Sequence, residues 1–208
     1  MRIFITGIGT DVGKTVAAAI VTQALEADYW KPIQSGDLHN TDTHKVQNLV
    51  SNTKTVFHTE SYAFTTPASP HYSAALENET IDLKKVKTPK TENNLVVEGA
   101  GGLLVPLNDT QTIADLIEPN DIVIVVSRHY LGSINHMLLT LESLAHRKIT
   151  IGGIIFNGAE NTATESIITS KTKVNVIGRI EDEPYINSHV INEYAEKFLP
   201  QLNALLKK

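Results

Sequence analysis

Short apolar runs alternate with amphipathic stretches along most of the 208 residues. Arg2–Thr6 reads as a strand, followed by a glycine-rich turn and an Ala/Val-rich helix over Lys14–Ala27. Tyr29–Ile33 reads as a second short strand and Asp42–Val50 as a short helix. Asn94–Glu98 (NLVVE) is a buried-type strand, closed by Gly99-Ala100-Gly101-Gly102, and Asp121–Ser127 (DIVIVVS) carries the strongest strand signal. Ile134, Met137, Leu138, Leu141 and Leu144 then recur at three- and four-residue steps, which lines one face of a helix. Ile151–Phe156 and Val174–Ile180 follow as strands. Val190, Tyr194 and Phe198 predict a terminal helix, which Pro200 should interrupt or kink. Strands that are apolar throughout, rather than alternating, need cover on both sheet faces. The order therefore predicts an α/β fold, a single domain over 1–208 with a mostly parallel sheet and helices on both faces. The polar segment Lys84–Asn93 (KKVKTPKTEN) reads as a solvated loop.

Composition narrows the function classes. With 41% hydrophobic residues the chain can bury a sizeable core, and a net charge of −5 argues against a general nucleic-acid binder. The absence of cysteine excludes disulfides, thiolate metal sites and a Cys nucleophile. The longest purely apolar stretch is Val16–Val21, far short of the ~18 residues a membrane span needs. MRIFITG enters a strand without an apolar leader, so a cytoplasmic protein is expected. The eight histidines show no HExxH spacing and are read as surface or packing residues.

The sharpest chemical signal is Gly7-Ile8-Gly9-Thr10-Asp11-Val12-Gly13-Lys14-Thr15, a strand running through a glycine-rich turn into a helix. Glycines let backbone N–H groups approach phosphate oxygens, and the helix N-terminus adds positive potential. Lys14 places a cation at the terminal phosphates and Thr15 offers a hydroxyl to Mg²⁺. Five residues separate Gly7 from Gly13, one more than in GxxxxGK[ST], so the loop is a one-residue variant.

Further candidates sit at the carboxyl ends of later strands, where ligands bind in open parallel sheets. Lys31 and Ser35, in Lys31-Pro32-Ile33-Gln34-Ser35-Gly36, would face the same crevice as Lys14. Asp42 is either a helix N-cap or a carboxylate for Mg²⁺. Glu98 ends an apolar strand, where a Walker-B acid would stand, and a buried carboxylate without a partner is costly. Asn157 has the paired donor and acceptor suited to an adenine edge, but also fits a turn before Gly158. Gly132-Ser133-Ile134-Asn135 opens a helix whose free N–H groups could bind a carboxylate, with Ser133 as the alternative N-cap.

Taken together, GIGTDVGKT (7–15), KPIQSG (31–36), NTD (40–42), PASPH (67–71), VEGAGGLLVPL (97–107), LGSINH (131–136) and IIFNG (154–158) resemble the dethiobiotin synthetase family. These are ATP-dependent ligases of biotin biosynthesis. The resemblance implies that 7,8-diaminononanoate takes up CO₂ as a carbamate, that the carbamate attacks the γ-phosphate of ATP, and that the second amine closes the cyclic urea. It implies catalytic roles for Lys31 and Lys14, and Mg²⁺ held by Thr15, Asp42 and Glu98. ATP contacts would come from Asp11, Val12, Gly13, Lys14, Thr15, Val16, Asp42, Glu98, Gly99, Ala100, Gly101 and Asn157. Ser35 would bind the diamine or carbamate. Gly132, Ser133, Ile134 and Asn135 would take the substrate carboxylate, in the family from the neighbouring subunit, so a homodimer is implied and neither nucleic acid nor membrane is a partner. Asp11 stands where the family often has Glu, and Arg179–Pro184 (RIEDEP), near adenine by similarity, departs from the family pattern.

A second reading is a regulatory P-loop ATPase of the partition or septum-positioning type. The tail ending in Leu205-Leu206-Lys207-Lys208 would then be an amphipathic anchor. Against it, such ATPases carry a lysine early in the phosphate loop, where this chain has Gly7-Ile8-Gly9. A third, cobyrinate-type amidation, needs an ammonia source, usually a glutaminase domain with a Cys nucleophile, for which the chain has no cysteine and little room.

Overall fold

The computed structural model describes residues 1–206. Lys207 and Lys208, at the end of the suggested anchor, lie outside the described residues. Seven parallel strands form one sheet: β1 (Arg2–Gly7), β2 (Asp28–Trp30), β4 (Phe57–His58), β6 (Leu95–Gly102), β7 (Ile122–Arg128), β8 (Thr150–Asn157) and β9 (Val176–Ile180). Their order is β4-β2-β6-β1-β7-β8-β9. A separate parallel pair joins β3 (Ile33–Ser35) to β5 (Tyr62–Phe64).

The helices are α1 (Lys14–Leu25), α2 (Asp42–Leu49), α3 (Pro70–Leu76), α4 (Ser133–His146), α5 (Thr162–Thr172) and α6 (Ser188–Leu206). From β1 the chain crosses through α1 toward one sheet edge. From β7 it crosses through α4 toward the other. Right-handed crossovers in opposite directions put α1 and α4 on opposite faces. The contacts agree, since α1 packs with α2 and α6, and α4 with α5. Both faces of the central strands are thereby sealed, and Ile3, Phe4, Ile5, Val96, Val97 and Val123–Val126 are fully buried.

Three expectations are corrected. The strand expected over Tyr29–Ile33 is broken, because Pro32 lacks an N–H for the ladder, and the chain leaves the main sheet after Trp30 to pair with β5. The strand expected to stop at Glu98 continues through the glycines to Gly102, with a register shift between Ile5 and Gly7 on its partner. Pro200 does not interrupt the terminal helix, which runs to Leu206. Its exposed position lets water take the carbonyl it leaves unpaired. The segment 84–93 is irregular as expected, but its end is anchored, since Thr91 Oγ1 donates to the buried carboxylate of Asp28 at 2.6 Å. No helix among the described residues is long and apolar enough to cross a membrane.

Candidate active site

The carboxyl ends of β1, β3, β6, β7 and β8 open into one cavity of about 800 Å³. Its first wall is the phosphate loop. Gly13 is the N-cap of α1 at φ 96°, a left-handed conformation that favours glycine, and a methyl there would collide with the Asn157 side chain. Asn157 Nδ2 donates to the Val12 carbonyl at 3.0 Å, which ties the end of β8 to the loop. Lys14 is buried and its Nζ donates to the Gly9 carbonyl at 2.8 Å. Burial, and then the charge of Lys31, lower its pKa to about 8 against the pull of Glu98, Asp42 and Asp11.

Beneath the loop lies a buried charge cluster. Lys31 Nζ donates to Asp42 Oδ2 at 2.5 Å and to Glu98 Oε1 at 3.0 Å. Burial alone would pull this ammonium down, but Glu98 and Asp42 overcome it and hold its pKa above the ordinary lysine value. Burial pushes the Asp42 carboxyl up, yet Lys31 and then Lys45 outweigh it and leave it below the usual aspartate range. Thr15 Oγ1 donates to Glu98 Oε1 at 3.0 Å. Ser35 Oγ, on the cavity wall, is buried with no partner in the protein, so it is free for a ligand.

Of the positions singled out by sequence, Asp11, Gly13, Lys14, Thr15, Val16, Lys31, Ser35, Asp42, Glu98, Ala100, Gly101 and Asn157 all line this cavity. Val12 and Gly99 lie just behind it and present carbonyls to Asn157 and Lys31. Gly132, Ser133, Ile134 and Asn135 do not line it. The capping alternatives also resolve. Thr41, not Asp42, caps α2, its hydroxyl accepting the His44 N–H, so the Asp42 carboxylate is left for the cluster. Gly132 at φ 104° caps α4, and Ser133 is its buried first residue.

Sequence reasoning missed Tyr29, Gln34 and Lys45. Tyr29 donates its hydroxyl to Glu98 Oε2 at 2.8 Å. Gln34 accepts the Asp42 N–H at 3.3 Å and donates to the Gly36 carbonyl at 2.9 Å. Lys45 reaches Asp37 at 2.7 Å and Asp42 at 3.4 Å. The signals were the two-residue relation of Tyr29 to Lys31 along an extended chain and the one-turn relation of Lys45 to Asp42 on a helix.

Residues 1–190 match the family model described as an AAA domain. The ATP-dependent dethiobiotin synthetase BioD of Christiangramia forsetii is 58% identical over 199 residues, 96% of each chain. The chain belongs to the dethiobiotin synthetase family. The enzyme of that name from Cytophaga hutchinsonii is 46% identical, over 94% of this chain and 96% of its own. Among solved structures, a putative plasmid partition protein from Borrelia burgdorferi bound to AMPPNP is 15% identical with a TM-score of 0.60, covering 98% of both chains. The septum site-determining protein MinD of Pyrococcus horikoshii, complexed with Mg-ADP, is 16% identical with a TM-score of 0.54, covering 100% of this chain and 94% of its own. At such identity the likeness concerns the fold alone. The family's place among α/β P-loop proteins thus rests on the sheet and loop, and its membership on sequence identity.

Proposed function

We propose that the chain is an ATP-dependent dethiobiotin synthetase, joining CO₂ to 7,8-diaminononanoate and closing the cyclic urea. The observation that carries this reading is the convergence of two buried ammonium groups, Lys14 and Lys31, with Thr15, Asp42 and Glu98 on one cavity beyond the phosphate loop. One hydroxyl and two carboxylates form a hard oxygen donor set that fits Mg²⁺, which would offset charge on the terminal phosphates.

In the reaction one substrate amine adds to CO₂, forming a C–N bond and a carbamate with loss of a proton. A carbamate oxygen then attacks the γ-phosphorus and ADP leaves. The second amine attacks the carbonyl of the mixed anhydride and expels phosphate, which closes the ring. Lys14, wrapped on its loop, binds the phosphates. Lys31, which lines the same cavity, would stabilise the carbamate and the migrating phosphoryl group. Ser35 offers its unpartnered hydroxyl to the carbamate or diamine, and Asn157 keeps its carbonyl side for adenine. Tethering the second amine makes ring closure intramolecular, where orientation supplies ~7–11 kcal/mol in favourable cases.

The substrate carboxylate would be bound at Gly132–Asn135 of a second copy, in a homodimer. Three observations support this. That segment lies off the main cavity, and a second cavity of about 420 Å³ lined by Gly9, Leu104, His136 and Leu139 adjoins it. Leu104, Tyr130, Leu131 and Leu139 are exposed there, an apolar strip that a partner would cover. Light scattering coupled to size exclusion tests the dimer; a monomer at micromolar concentration overturns it. The activity is tested by incubating the protein with diaminononanoate, bicarbonate, Mg²⁺ and each nucleotide, with mass detection of the cyclic product. Nucleotide hydrolysis without that product overturns the reading.

A further inference from the structure

The Glu98 carboxylate is fully buried and receives three hydrogen bonds. Two of them, from Thr15 and Lys31, fall on Oε1 at 3.0 Å each. Both donors have other work in the proposed reaction, the hydroxyl of Thr15 as a candidate cation ligand and the ammonium of Lys31 as the proposed cation at the transferring group. The third comes from Tyr29, whose hydroxyl meets Oε2 at 2.8 Å. Tyr29 does not line the cavity and is completely buried, so it touches neither nucleotide nor substrate.

We propose that Tyr29 is a positioning residue that holds the Glu98 carboxylate in one orientation while Lys31 and Thr15 exchange partners during turnover. The inference rests on the reading of Glu98 as the carboxylate that holds the divalent cation. Its geometry is fixed by the sheet. Tyr29 on β2 is in register with Val96 on β6, two residues before Glu98, so the phenol points along the strand toward the carboxylate. Phe57 on the neighbouring β4 packs against the ring at 6.2 Å between centroids. An ionised carboxylate only accepts, so in this contact the phenol hydroxyl is the donor. Without it, Oε2 would be a buried acceptor with no partner, and the carboxylate could rotate once Lys31 moves away.

The test is Tyr29→Phe, which keeps the ring and removes only the donor. Partners that orient a metal ligand through its far atom change affinity about 10–100-fold. Mn²⁺ binding to the protein with a non-hydrolysable ATP analogue, followed by electron paramagnetic resonance, should weaken about tenfold. In turnover the Mg²⁺ concentration for half-maximal rate should rise by a similar factor. In a Glu98→Gln background the same substitution should change Mn²⁺ affinity less than twofold, because its route is already cut. Phe57→Leu, which loosens the same packing, controls for a purely structural effect. The proposal is overturned if Tyr29→Phe binds Mn²⁺ within twofold of the parent, if it weakens binding equally in both backgrounds, or if Phe57→Leu reproduces it. Mn²⁺ affinity unchanged in Glu98→Gln alone instead overturns the reading of Glu98 on which the proposal stands.

Discussion

Replacing Lys31 with methionine removes a charge while keeping most of the side-chain volume. The ammonium is the nearest cation to Glu98 and to Asp42, at 3.0 and 2.5 Å. Removing one partner of a buried pair costs about 3–5 kcal/mol. The lower end applies here. Asp42 is 20% exposed and keeps Lys45 at 3.4 Å, while Glu98 keeps Tyr29 and Thr15. About 3 kcal/mol in a chain of this size lowers Tm by roughly 6–12 °C. The kinetic loss is separate. Deleting one positioned donor to developing charge costs about 10²–10³ in kcat. Thermal unfolding and product formation at 25 °C, measured by mass spectrometry, read the two effects independently. Added Mg²⁺ should recover part of the melting loss in Lys31→Met, since a divalent ion can serve the two carboxylates, but should leave the rate low. Turnover within twofold of the parent at saturating substrates would refute the placement of this ammonium at the reacting centre.

Other outcomes follow from the same geometry. Glu98→Gln should raise the Mg²⁺ concentration for half-maximal activity at least tenfold, because an amide is a poorer ligand, and an unchanged magnesium titration would remove Glu98 from that role. Gly13→Ala should abolish binding of a fluorescent ATP analogue, since the left-handed backbone costs about 1–2 kcal/mol and the methyl drives into Asn157, and normal affinity would contradict this. Asn157→Ala should lose about 1 kcal/mol with its bond to the Val12 carbonyl, seen as a fall of about 2–4 °C in Tm together with a higher KM for ATP. Lys14, with a pKa of about 8 in the folded chain, should bind Mg²⁺-free nucleotide best below pH 8 and progressively less above it. For stability the sign is opposite. The folded chain releases this proton before the unfolded one, so stability rises from about pH 8 to the ordinary lysine range, and a flat nucleotide-affinity profile from pH 7 to 9.5 would count against a buried Lys14.

The central strands and the phosphate loop were legible because their signals are local. A run such as IVIVV can be satisfied only between two covered faces, and glycines before GKT have few other uses. Elements whose periodicity is weak were not legible. Helix α5 buries only Ile168 among threonines and serines, and β4 and β5 are two and three residues long. Lys14, Lys31, Asp42 and Glu98 were found singly, each from its own strand end or helix start. Sequence alone determined that these charges exist beside a nucleotide loop. Only the tertiary structure decided that one ammonium is shared by two carboxylates, that Thr41 takes over the cap of α2, and that Tyr29 completes Glu98 from the neighbouring strand. The reason is physical: strand register and burial set which charges lose their water together, and neither is written in any one segment of the chain.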